Sequence, residues 1–131
     1  MRRKDVDMNG HVAVKRSSAG LGLYAARDFS RGETVIEYIG ERIRGSHERN
    51  NLYIFRVDKQ WDIDGSPRWN KARYINHSCK PNCEAINDDG RIFIVAKRKI
   101  VAGDELAYDY GEEYFKEYIE PKGCRCIRCH E

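Results

Sequence analysis

What most limits the architecture open to this chain is the brevity of its apolar stretches. They come in runs of four to six residues, each closed by turn-forming residues. The runs expected to form strands are His11–Lys15, Leu23–Ala26, Thr34–Tyr38, Leu52–Val57, Trp61–Asp64, Arg91–Ala96 and Glu105–Tyr108. Asp88-Asp89-Gly90 reads as the tip of a hairpin, because Asp-Gly tolerates positive φ. Helix is scarce: Trp69–Tyr74 has room for one turn or two, and Glu112–Tyr118 for another. The polar segment Gly45–Asn51 is expected to be a loop. Many short strands and little helix predict a mainly β fold of several small curved sheets, not a parallel α/β sheet.

A chain of 131 residues is large enough for one domain with a modest core. Its net charge of +3 gives no argument for a nucleic-acid or membrane partner, and direct nucleic-acid binding is not expected. The charge is unevenly spread. Residues 1–31 hold seven Lys/Arg against three Asp/Glu, and residues 104–120 hold seven Asp/Glu against Lys116 alone. An acidic surface there would attract a basic peptide; a solvated face is the plainer reading. No apolar run is long enough to span a bilayer, and the N-terminus lacks the apolar segment of a secretory signal. An intracellular protein is the expectation, and its five cysteines then point to metal or free thiols before disulfides.

Four segments carry chemistry. Ser17-Ser18-Ala19-Gly20-Leu21-Gly22-Leu23-Tyr24 reads as a small-residue turn leading into a strand, where glycine lets a ligand approach the backbone. No helix follows it, which counts against a dinucleotide fingerprint. RYINHSCKPNC, Arg73 to Cys83, sets Asn76, His77 and Ser78 after the apolar Tyr74-Ile75. A lone histidine is more often a structural hydrogen-bonding residue than a catalyst. In GDELAYDYG, Gly103 to Gly111, a strand would put Tyr108 and Tyr110 on one face, suited either to packing or to lining a channel. Finally, Cys124-x-Cys126-x₂-Cys129 offers three thiolates within six residues, one short of a tetrahedral zinc site.

In this order and in a chain this short, these segments closely resemble the SET-domain protein lysine methyltransferases, over Val12 to Cys129. The resemblance implies a SET β-fold over residues 1–120, with its core from about residue 11 and a knot-like C-terminal segment, then a post-SET zinc segment over 121–131. It implies S-adenosylmethionine as cofactor, held by Gly20, Leu21, Gly22, Leu23, Tyr38, Arg73, Asn76, His77 and Tyr110. Tyr110 would meet the reacting amine and methyl group, and Tyr53 and Tyr108 would line the lysine channel with it. Tyr at position 108, where the family carries Phe or Tyr, implies mainly monomethylation with some dimethylation. Cys79 would join Cys124, Cys126 and Cys129 on zinc, although the family usually has four residues between its second and third post-SET cysteines and this chain has Ile127 and Arg128. Cys83 is left over and should pack as a small apolar residue.

The function expected is methyl transfer from S-adenosylmethionine to a lysine of a basic protein: a histone tail, another chromatin protein or a ribosomal protein. The location would be the nucleus in a eukaryote and the cytoplasm otherwise. Two other classes stay open: a catalytically inert SET-like module that binds peptides or partners, and a zinc-containing nucleic-acid binder. The second lacks a paired metal half and a basic helix. Oligomeric state is not legible in the sequence.

Overall fold

The computed structural model describes residues 11–17, 20–44, 54–58 and 60–109. Among the described residues ten strands form four small sheets, with one 3₁₀ turn between them: β1 Val12–Ser17, β2 Gly20–Ala25, β3 Thr34–Tyr38, β4 Glu41–Arg44, β5 Ile54–Arg56, β6 Trp61–Asp64, the 3₁₀ turn Lys71–Tyr74, β7 Asn76–His77, β8 Cys83–Asp88, β9 Arg91–Ala96 and β10 Ala107–Tyr108. No α-helix occurs among the described residues, and no helix there is long and apolar enough to cross a membrane. The mainly β expectation holds.

The largest body of packing is the sheet β3-β9-β8. Its central strand β9 is buried on both faces from Ile92 to Ala96, which is why that run is almost unbroken in apolar residues. Phe29, Val35, Ile36, Ile94, Ile100 and Leu106 are fully buried, and they form one core with Leu23 of β2 and Ile75 beyond the 3₁₀ turn. The β8–β9 hairpin closes through Asp89 and Gly90, both at positive φ (53° and 88°), with Asp88 opposite Arg91. The Asp-Gly tip therefore forms as expected, and the Asn87 side chain accepts the Gly90 N–H at 2.8 Å.

Several elements differ from expectation. The strand after the small-residue segment begins earlier than the expected Leu23: β2 starts at Gly20, paired with Ser17 of β1, and Gly22 lies opposite Lys15. Strands β4, β7 and β8 were not expected. β4 is polar (Glu41-Arg42-Ile43-Arg44) and exists because β6 offers it a ladder from Glu41↔Asp64 to Arg44↔Trp61. β7 is two residues long and pairs in parallel with β10. β8 alternates weakly, with Glu84 and Asn87 exposed, so its apolar signal is diluted. Conversely, Glu105 lies outside β10 and makes only a single bridge to Tyr24. The helical segment is the single turn Lys71–Tyr74, within the one turn or two expected, and ahead of it the Asn70 side chain binds the Ile39 N–H and the Gly65 carbonyl.

The parallel β7–β10 pair sets the Asn76 segment against the Tyr108 segment, as a knot-like C-terminal part requires. The rest of that arrangement, the expected Glu112–Tyr118 helix, the Gly45–Asn51 loop and the zinc segment 121–131 all lie outside the described residues.

Candidate cofactor site and lysine channel

Asn76 is the hub of the site. Its Nδ2 lies 3.0 Å from Leu21 O, 3.1 Å from Ser17 Oγ and 3.0 Å from Glu105 Oε2. Two amide hydrogens thus serve three acceptors drawn from β1, β2 and the segment before β10. Asn76 Oδ1 takes no hydrogen bond among the described residues.

Gly22 makes this convergence possible. A Cβ there would lie 2.6 Å from Glu105 Oε2, 3.1 Å from Ser17 Cβ and 3.2 Å from Asn76 Nδ2. Gly20 differs in kind: its φ of +105° is one that L side chains avoid, while the space around it is open. One glycine is required by close approach, the other by backbone shape. Of the neighbouring leucines, Leu21 is exposed beside Asn76. The Leu23 side chain is buried in the core and its carbonyl accepts the Leu106 N–H at 2.8 Å, so Leu23 positions the strand.

The Asn76 segment is fixed from behind by Asn82, which the sequence reading did not single out. Its Oδ1 accepts the Ala107 N–H and its Nδ2 donates to Glu105 O, both at 2.9 Å. Asn82 is buried, so both bonds form away from water, and they bind the two motifs together. Glu105 was also missed as a site residue. Both stand inside the motifs, at KPNC and GDEL, and only their partners across the fold mark them out.

His77 is buried, with Nδ1 3.8 Å from Asp109 Oδ1 and Nε2 3.7 Å from Cys79 Sγ. Burial lowers its pKa below the ordinary imidazole value, and Asp109 opposes that only in part. A neutral ring near pH 7 suits a structural histidine. Arg73 lays its guanidinium 5.0 Å from the Tyr74 ring centre and donates to Tyr74 Oη at 3.2 Å, at the rim of the site.

On the other side runs an aromatic row. Tyr38 meets Phe55 at 5.2 Å between ring centres, and Phe55 meets Tyr108 at 6.4 Å. Tyr38 and Tyr108 are buried. Phe55 was not expected at the site; its spacing of two from Tyr53 along a strand was the available signal. Tyr53 and Tyr110 lie outside the described residues. Cys83 is buried and its thiol is pushed up to about 12 by burial, so it packs as an apolar residue, as expected. Cys79 is exposed and forms no disulfide among the described residues. Among the described residues no three His, Cys, Asp or Glu side chains converge on a metal position, and Cys124, Cys126 and Cys129 lie outside them.

A parallel two-residue pairing sets the Asn-His segment against the buried Tyr108, and Asn76 ties both to the glycine strand. The family model described as the SET domain matches residues 20–111. The chain belongs to the SET-domain family. As a SET domain it is 48% identical over 95% of its length to histone-lysine N-methyltransferase trr of Drosophila melanogaster. It is 40% identical over 95% to histone-lysine N-methyltransferase 2D of Homo sapiens. It is 38% identical over 81% to histone-lysine N-methyltransferase, H3 lysine-4 specific, of Schizosaccharomyces pombe. It spans 6%, 2% and 13% of the lengths of these three relatives.

The SET-domain family implies S-adenosylmethionine, and the described residues fit it. The space around Gly20 is open, Leu21 is exposed beside Asn76, Asn76 Oδ1 takes no hydrogen bond among the described residues, and Glu105 supplies a carboxylate beside them.

Proposed function

We propose that this SET domain is an S-adenosylmethionine-dependent protein-lysine N-methyltransferase. Its substrate is a lysine of a basic protein, a histone before others, and its product is mainly monomethyl-lysine with some dimethyl-lysine. The observation that carries this reading is the convergence of Gly22, Asn76 and Glu105 beside the Tyr38–Phe55–Tyr108 row. The names of the relatives support the choice of histone. In a eukaryote the place of action is chromatin.

When bound, S-adenosylmethionine supplies an electrophilic methyl group on a positively charged sulfur. Gly20, Leu21, Gly22 and Asn76 would hold it, Asn76 Oδ1 offering an acceptor to a cationic group. Arg73, Asn76 and His77 border the rest of it. Tyr38, Phe55 and Tyr108 form an apolar wall that keeps water from the lysine stem and suits a cationic product. A lysine amine in water has a pKa of about 10.4, and desolvation by such a wall lowers it, so the neutral amine is reached more readily. No dedicated base is assigned, and the proton leaves to solvent along the channel. Tyr110 and Tyr53 are assigned to orienting the amine lone pair. Cys79, Cys124, Cys126 and Cys129 are assigned to one zinc ion, which would fold the C-terminal segment over the channel.

The test is incubation with methyl-labelled S-adenosylmethionine and a panel of histones and ribosomal proteins, with Tyr110→Phe in parallel. Label on lysine that falls at least about a hundredfold in the variant is expected, as for loss of a group that orients the reacting atoms. Cofactor binding without any label on the panel would refute the enzymatic reading and leave a binding module.

A further inference from the structure

The overall charge of +3 conceals a strong local imbalance. Three turns meet at one end of the β3-β9-β8 sheet, and each brings exposed cations. Arg31 lies in the turn before β3, Lys80 in the turn before β8, and Lys97, Arg98 and Lys99 follow one another directly after β9. Backbone hydrogen bonds stitch the turns together: Gly32 N to Ala96 O at 2.8 Å, Ala96 N to Glu33 O at 2.9 Å and Lys97 N to Asn82 O at 2.8 Å. The Arg98 charge reaches the Cys83 thiol at the start of β8. All five side chains are exposed and none makes an ion pair among the described residues.

Elsewhere in the fold arginines do find partners. Arg27 pairs with Glu33 at 2.6 Å, Arg56 with Asp62 at 2.7 Å and Arg91 with Glu37 at 2.8 Å, while Arg44 lies over Trp61. The carboxylates near the patch are engaged by other groups. Glu33 is taken by Arg27, Asp28 accepts the Ala102 N–H and Asp104 accepts the Val101 N–H. Glu84 is exposed on β8 and pairs with none of the five. Cations set this close repel one another unless an anion covers them, and repulsion is felt over a Debye length of about 8 Å at physiological salt.

We infer that this patch binds the phosphate backbone of duplex DNA lying beside the substrate lysine. Its lysines and arginines are the side chains that contact phosphate without reading sequence. Base stacking on aromatics, which single strands require, has no platform here, since the one aromatic in these turns, Phe29, is buried. Lys80 also stands three residues after His77, inside the Asn76–Cys83 segment. The choice of DNA over other polyanions rests on the proposed histone substrate, because histones carry DNA wrapped on their surface. The geometry of the patch does not depend on that reading.

The experiment is fluorescence anisotropy with a labelled duplex of about 20 base pairs over a salt series. It compares the unaltered chain with Lys97→Gln/Arg98→Gln/Lys99→Gln. A control variant, Arg42→Gln/Arg68→Gln, removes exposed charges at the far end of the sheet, beside the Gly90 tip and the Pro67–Asn70 turn. Thermal midpoints of all three are read first. The patch variant is expected to bind at least about tenfold more weakly at low salt and to flatten the slope of log K against log salt by about 2–3. The control should change both far less. Equal binding by the patch variant, an equal loss in the control, or absence of salt-dependent binding by the unaltered chain would overturn the inference. Methyl transfer to a short histone peptide is measured in parallel, where the patch variant should match the unaltered chain. If no peptide is methylated by either protein, the proposed activity fails while the anisotropy result still decides the patch.

Discussion

A single missing Cβ lets Ser17, Asn76 and Glu105 converge around β2 in this fold. At Gly22 the added methyl of Gly22→Ala would press on Glu105, Ser17 and Asn76 together, with Glu105 Oε2 only 2.6 Å away. We expect cofactor affinity, read by isothermal titration, to fall at least about tenfold, consistent with loss of two or more well-made hydrogen bonds. Unchanged affinity would show that Asn76 and Glu105 are not the cradle. Tyr108 offers a separate test, because its buried ring ends the row from Tyr38 through Phe55. Tyr108→Phe removes only the hydroxyl and should move the product toward di- and trimethyl-lysine by mass spectrometry. An unaltered product ratio would mean that another group limits methylation.

At the scale of elements, the short strands depend on side chains that serve backbone groups far away in sequence. Asn70 is fully buried; its Oδ1 accepts the Ile39 N–H at 3.3 Å and its Nδ2 donates to Gly65 O at 3.0 Å. Asn70→Ala strands both groups, and each costs about 1–3 kcal/mol when left unsatisfied. A loss of about 2–4 kcal/mol in urea unfolding is therefore expected, and a loss below about 1 kcal/mol would show that water replaces the side chain. The turn before β3 carries a pH-dependent tie. Arg27 donates to Glu33, which also accepts the Ser30 N–H, and these bonds hold the Glu33 carboxyl below its ordinary value against the opposing effect of burial. A carboxylate with a lowered folded pKa contributes stability above its unfolded pKa and loses it as pH falls through the folded value. Glu33→Gln should therefore flatten the stability profile on the acid side of about pH 4.5, most visibly in low salt. An identical acid slope in both proteins would place the dependence on other carboxylates.

For the whole molecule, the zinc assignment tests whether the exposed Cys79 is joined to the C-terminal cysteines. Cys126→Ser should lose zinc, by metal analysis, together with methyl transfer. Full activity without zinc would refute the closing role given to that segment. Legibility varied in a physical way. Thr34–Tyr38, Trp61–Asp64 and Arg91–Ala96 were readable to the residue, because each buries apolar side chains in a pattern local to the strand. β4 and β7 were not, since their strand state comes from the ladders offered by β6 and β10. At the site, Gly22, Asn76 and Tyr108 were legible from their motifs, whereas Ser17, Asn82 and Glu105, though inside the same motifs, and Phe55 became site residues only through partners 20 or more positions away, as in Asn82 to Glu105 at a separation of 23.

The sequence by itself determined which chemical groups are present and where strands and tight turns begin, because β pattern, the Asp-Gly tip and the order of the motifs are local properties of the chain. Only the tertiary structure decided which groups meet. It spent the Asn76 amide on three acceptors, and it paired Arg27, Arg56 and Arg91 while leaving Lys97, Arg98 and Lys99 exposed together. The reason is that hydrogen bonds and charge pairs depend on distances of a few ångströms, and those distances are set by strand pairing between segments far apart in the chain.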